Sequence, residues 1–332
     1  KDIAALAWLA PRLVGRIPIT ALANPPALVE LFSETICEEL DFRLEADNML
    51  SVACVLAKTD QRNIIVPRPY LELVTERVLV MERMKGYAFD DVDSMQNAGI
   101  DTEELLHSGL ITFMEGALLH GIFHGDLHGG NLFVQPDGKT ALMDFGITGR
   151  FNEQRRKAFM RIIIAGTSGN IRQQVLALRD LGAFPSDIDV DQVINDLDLE
   201  GPVKDPTKMS SEQLTSEMSQ MAKKLLGYGA SAPKELMLFV KNLVFLDGAT
   251  ARLAPNIDIL QEINKVYMYF VETYGAQIIA DLGISNQELS EFDTGAVLNS
   301  MGIEEEQDSL TYQDLLKRRD LIKKRMANKE ED

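Results

Sequence analysis

Residues His124–Gly146 read HGDLHGGNLFVQPDGKTALMDFG. Asp126 is followed five residues later by Asn131, and thirteen later again by Asp144-Phe145-Gly146. The spacing is H-x-D-x-x-x-x-N followed by D-F-G, a pattern that serves phosphoryl transfer from a nucleotide. The residue types suit that chemistry. A carboxylate at Asp126 accepts or orients the proton of an attacking hydroxyl or water, and His124 and Asn131 complete the catalytic set. The amide oxygen of Asn131 and the carboxylate of Asp144 are hard donors of the kind that hold Mg2+ against nucleotide phosphates. Between them LFV and TALM read as short strands around the turn Pro136-Asp137-Gly138. A hairpin there brings Asn131 and Asp144 over one site.

Two readings compete with this one. Two Asp-bearing loops could flank a surface hairpin by chance, but three residues at matching spacing outweigh that. A metallohydrolase cluster would use His124, Asp126 and His128, with His120 four residues before His124. It leaves Asn131 and D-F-G without a task, and His128 alone reads as a loop residue that bonds locally. Gly138-Lys139-Thr140 invites a phosphate-loop reading, yet the position five residues back is Phe133 and not Gly, so a hairpin turn is preferred.

Composition bounds the rest. At 332 residues the chain is long enough for one large domain or two lobes. A net charge of −18 argues against nucleic acid or an anionic membrane as a partner of this surface. Cys37 and Cys54 lack metal-ligand spacing and suggest a reducing, intracellular setting. The longest apolar run, LMLFVKNLVFL, contains Lys241 and Asn242 and falls short of a membrane span. The chain opens on Lys1, inside what reads as a helix, so a fragment is expected.

Around the loop, Asn24 caps an expected long helix with Pro25 and Pro26 in its first turn and Leu28, Phe32, Ile36, Leu40 and Leu44 at four-residue spacing. Glu38, Asp41 and Glu45 share the opposite face. Glu39 lies on the apolar flank, where a carboxylate needs a cationic partner. IIVPRPYLEL and TERVLVMERMKG read as two strands. Asp101 with Glu104 opens a helix running to about His120. Helices are expected near 153–165, 170–181, 211–226, 233–253 and 257–281. The methionines among 209–237 are spaced for helix packing. The tail from 302 reads as a charged, solvated helix.

HGDLHGGN followed by DFGITGR and preceded by ICEELDFRLEADN resembles the UbiB/AarF/ADCK family of atypical kinases. The resemblance runs over residues 1–265 and includes VPRPYLELVTERVLVMERMKG, similar to that family's hinge. Aminoglycoside- and choline-kinase-like enzymes share the HGDLH-x-x-N loop but not the E-x-D helix. The resemblance implies an α+β, protein-kinase-like two-lobed fold with an incomplete N-lobe and a mostly helical C-lobe. The lobes would divide as 1–85, with the E-x-D helix and hinge strands, 86–285, with the catalytic loop and D-F-G, and 286–332, a charged helical tail. It implies Asp126 as catalytic-loop Asp, Asn131 and Asp144 as Mg2+ ligands, and Glu82 and Met84 of the hinge at the nucleotide. Glu45 corresponds to the glutamate that pairs with a strand lysine, and Glu39 and Asp41 to the E-x-D acids that meet a lysine of an N-terminal extension. The family implies ATP and Mg2+ as cofactors, and isoprenoid-quinone biosynthesis or lipid homeostasis as the setting. The expected partner is a small-molecule or lipid-like substrate such as an isoprenoid quinone precursor, with no nucleic acid. The expected location is cytoplasmic, with peripheral membrane association of the full-length protein. No V-A-V-K-like strand lysine, nucleotide loop or K-x-G-Q segment precedes the helix, so 1–332 alone is expected to be poorly active. A non-catalytic nucleotide-binding scaffold and a soluble-metabolite phosphotransferase stand as alternatives.

Overall fold

A computed structural model describes residues 41–59, 62–202, 204–303 and 309–327. In chain order its elements are α1 (Phe42–Leu56), β1 (Ile64–Ile65), β2 (Tyr87–Ala88), α2 (Val92–Asn97), α3 (Thr102–Glu115), β3 (Ile122–His124), β4 (Leu132–Val134), β5 (Thr140–Leu142) and β6 (Thr148–Arg150). There follow α4 (Glu153–Thr167), α5 (Ile171–Leu181), α6 (Val190–Leu197), α7 (Ser211–Gly227), α8 (Lys234–Leu253), α9 (Ile259–Leu282), α10 (Asn286–Ser290), α11 (Thr294–Ser300) and α12 (Tyr312–Ala327). The fold is α+β, and the five helices expected between 153 and 281 form within two residues of their expected bounds. Two compact units emerge. Of the described residues, one holds those up to Ile100, Glu115–Arg150 and Lys234–Phe245, and the other holds Asp101–Met114, those from Phe151 to Pro233 and those from Leu246 on.

The first unit is built on two small sheets. One has the order β1-β5-β4-β2, with β1 parallel to β5 and the other pairs antiparallel. The hairpin β4–β5 pairs Leu132 with Leu142 and Val134 with Thr140, as the turn at Pro136-Asp137-Gly138 requires. The second sheet pairs β3 with β6 antiparallel. There Gly149 faces Phe123, and any Cβ at 149 would sit inside the Phe123 ring. Helix α1 buries Ala46, Met49, Val52 and Val55, a three-residue repeat that lays one stripe against β1 and β3. Helix α3 passes into a π-turn over Gly116–His120 that ends at Gly121, whose left-handed φ of 67° suits glycine.

In the second unit α4 and α5 pack as a helical pair, and Val175, Val190, Val193, Ile194 and Leu197 form a core beneath α5 and α6. A further core gathers Leu260, Val297, Leu298, Ile303 and Leu310.

Four expectations are corrected. Among the described residues the helix expected through Leu44 has its N-terminus at Phe42, with Asp41 in extended backbone (φ −122°, ψ 99°) capping α1 by accepting from Arg43 N. The part before residue 41, with Glu39, lies outside the described residues. The two expected hinge strands shrink to Ile64–Ile65 and a single bridge between Pro69 and Met81. Pro67 and Pro69 have no N–H for the ladder, and the backbone bonds Tyr70 N to Val80 O and Glu82 N to Arg68 O, 2.9 Å each, tie the two stretches together without extending into a ladder. Met218, Met221 and Met237 are exposed rather than packed. The tail is docked at its start, where Tyr312 is buried and donates to Asp247 O at 2.7 Å and Arg319 holds the Asp247 carboxylate with two bonds, while beyond Arg319 its described residues are mostly exposed as expected.

Candidate active site

The site forms where β3, the β4–β5 hairpin and the start of β6 meet within the first unit. His124 ends β3 with its ring buried. Its Nδ1 accepts the Asp126 N–H at 3.1 Å, and its Nε2 lies 3.0 Å from Met143 O. One nitrogen must therefore accept while the other donates, which is the neutral ring. Burial pushes the imidazole pKa down, against the pull of the backbone carbonyls, and favours the same form. His124 thus positions the loop and does not line an open metal site. Its ring also meets the fully buried Phe145 edge-on at 5.1 Å.

Asn131 is buried, and its amide nitrogen donates to Asp126 O at 3.1 Å. That bond fixes the amide, leaving Oδ1 as the atom available to a cation. Across the hairpin mouth Met143 N donates to Asn131 O at 2.8 Å, so Asp144 follows immediately beside Asn131. Asp144 is exposed and held at φ 60°, a conformation a residue with a Cβ adopts at a cost. A hard-donor pair, the Asn131 amide oxygen and the Asp144 carboxylate, would suit Mg2+. Among the described residues no three His, Cys, Asp or Glu side chains could hold a metal by themselves.

Glu45, in the first turn of α1, accepts the Phe145 N–H at 3.1 Å. Burial raises its carboxyl pKa first, and the Asp144 charge adds to this. No ion pair to Glu45 occurs among the described residues. Three positions down the helix, Asn48 donates to Phe145 O at 2.9 Å and accepts from Arg150 at 2.9 Å. The two side chains of α1 therefore grip the peptide groups of Phe145 from both ends.

Asp41 is spent on the helix cap and on Arg43, whose guanidinium holds its carboxyl below the usual range. Glu82 is exposed, with its carboxylate near Arg68 N at 3.5 Å, and Met84 is half-buried. No hydrogen bond among the described residues joins Glu82 or Met84 to the catalytic loop.

Two residues of the loop's surroundings escaped the motif reading. Lys241 on α8 forms an ion pair with Asp126. Asn242, fully buried, accepts from Leu127 N at 2.9 Å and donates to His124 O. Their signal was the polar pair KN set inside the apolar run LMLFVKNLVFL. A buried amide in such a run needs partners, and these lie on the loop.

Residues 1–177 match the ABC1 atypical kinase-like domain. The chain belongs to the ABC1 atypical kinase-like family. The uncharacterised protein Rv0647c of Mycobacterium tuberculosis is 31% identical over 249 residues, 70% of this chain and 48% of its own. A probable protein kinase UbiB of Aeromonas salmonicida is 27% identical over 261 residues, 75% of this chain and 46% of its own. The chain spans about half the length of these ABC1-type relatives. A solved complex of the M. tuberculosis protein Rv3197 with erythromycin is 18% identical at a TM-score of 0.38, covering 69% of this chain and 61% of that one. No helix among the described residues is long and apolar enough to cross a membrane.

Proposed function

We propose that this ABC1 chain carries the catalytic loop and metal-binding half of a Mg-ATP-dependent phosphotransferase or ATPase. One observation carries the reading. Asn131 is pinned by its own amide nitrogen with its oxygen left over, and Asp144 is raised in a left-handed conformation beside it. Mg2+ bound there would neutralise phosphate charge and orient the terminal phosphoryl group. Asp126 accepts the proton of the attacking hydroxyl or water, while His124 and Asn131 hold its backbone in place. The acceptor is proposed to be a small or lipid-like molecule of isoprenoid-quinone biosynthesis or lipid homeostasis, reached from the cytoplasmic side by peripheral membrane association. The family resemblance and the relatives named UbiB support that part.

The test is nucleotide binding by the full-length polypeptide. Asp144→Asn is expected to weaken Mg-ATP binding by at least roughly tenfold, the worth of one charge-assisted contact. Asp126→Asn is expected to retain binding and lose turnover. An Asp144→Asn protein that binds Mg-ATP as tightly as its parent sinks the assignment.

A further inference from the structure

The site carries three carboxylates, Asp126, Asp144 and Glu45, and must receive a polyanionic nucleotide. Mg2+ on Asn131 and Asp144 would offset part of that charge. Among the described residues one cation is ion-paired to this cluster, Lys241, and its partner is Asp126, the proposed base.

The mounting of Lys241 is uneven. Its helical segment is fixed to the loop at two neighbouring points. Asn242 bonds Leu127 N and His124 O, and the Phe239 ring meets Phe123 edge-on at 5.8 Å. The ammonium itself is tied by one contact, on a side chain 51% exposed, at the end of a flexible stem. A cation needed only to hold the fold gains little from an exposed pair of this kind. A cation that must change partners gains from a rigid base and a free head.

Resting on the phosphotransfer reading, we propose that Lys241 is a terminal-phosphate ligand. Lys241 is paired with Asp126, and when Mg-ATP binds it moves to the γ-phosphate, freeing the Asp126 oxygen for the acceptor hydroxyl. The acceptor oxygen then forms the new bond to phosphorus and its proton passes to Asp126. The bond to the bridging oxygen breaks with its electron pair left on ADP. Lys241 so couples nucleotide occupancy to release of the base, and Mg-ADP does not trigger it.

The experiment measures Mg-ATP and Mg-ADP affinity by calorimetry on the full-length parent, Lys241→Met, Lys241→Gln and Lys241→Arg, with Asp144→Asn beside them. Melting without nucleotide is recorded for each. The Met and Gln variants are expected to lose roughly ten- to hundredfold in Mg-ATP affinity, the range of a charge-assisted hydrogen bond. Their Mg-ADP affinity should stay within roughly twofold and their melting near the parent's, since exposed ion pairs contribute little. Lys241→Arg should recover most of the Mg-ATP loss. Equal losses for Mg-ATP and Mg-ADP, or none for either, overturn the assignment of Lys241. A parent that binds neither nucleotide, with Asp144→Asn indistinguishable from it, instead overturns the active-site reading itself.

Discussion

Asp144 occupies a backbone conformation where a Cβ crowds the following carbonyl, and the site keeps a carboxylate there all the same. Asp144→Gly should therefore be more stable than Asp144→Ala by about 1 kcal/mol, because only glycine relieves the crowding. Urea midpoints of the two variants decide it, and a stability order of Ala above Gly would show the backbone unstrained. Glu45 gives a pH prediction. Burial raises its pKa above the ordinary 4.5, so its contribution to folding is full below that value and is lost as pH rises through the raised one. Glu45→Gln keeps an acceptor for the Phe145 N–H and removes the charge. It should raise the urea midpoint near pH 7 and leave it nearly unchanged near pH 4. His124 has the opposite sign. Its pKa is depressed below 6.5, so its contribution is present above that value and fades as pH falls below it. The Asp126, Asn131 and Asp144 spacing was legible because all three sit within one loop and hairpin. The partners of Glu45 were not, because they are backbone groups 100 residues away.

Among elements, α8 announces itself only by the polar pair Lys241-Asn242 inside an apolar run, and that pair does not say which loop it serves. Asn242 lies 115 residues from Leu127 and 118 from His124, and only the fold brings them together. Asn242→Leu should cost roughly 2–4 kcal/mol, since it strands a buried N–H and a buried carbonyl of the loop. Asn242→Asp keeps the acceptor for Leu127 and should lose the bond to His124 O. A thermal melt that leaves Asn242→Leu at the parent's midpoint would show that the loop holds itself. Apolar periodicity also misled at α1, where the four-residue repeat sets Leu44 on the apolar face although it is exposed, and Asp41 is the residue that caps the helix. A capping aspartate and a face-sharing aspartate look alike until the backbone is seen. The hinge stretches failed as strands for a reason the sequence did display, the prolines at 67 and 69. The tail helix was misjudged because its arginines find Asp205 and Asp247, far back in the chain.

Over the whole chain, 51 acidic residues face 33 basic ones. Mutual repulsion of that excess favours the expanded chain, and salt screens it over about 10 Å at 0.1 M. The melting midpoint is expected to rise between about 10 mM and about 150 mM NaCl, a shift that a differential scanning experiment reads directly. A fall across that range would mean that the surface pairs, such as Lys204 with Glu217, matter more than the excess charge.

Asn242 also imposes an order in time. The polypeptide emerges from its N-terminus, so the segment from His124 to Gly146 is made long before the amide that straps it. At about 5–20 residues per second, the gap between Leu127 and Asn242 lasts roughly 6–23 s. Through that interval the loop's carbonyl and N–H have no strap. The nascent chain thus holds Asp126, Asn131 and Asp144 early and the strap that fixes their loop late, and a ribosome stalled well ahead of Asn242 would present the motif without its geometry.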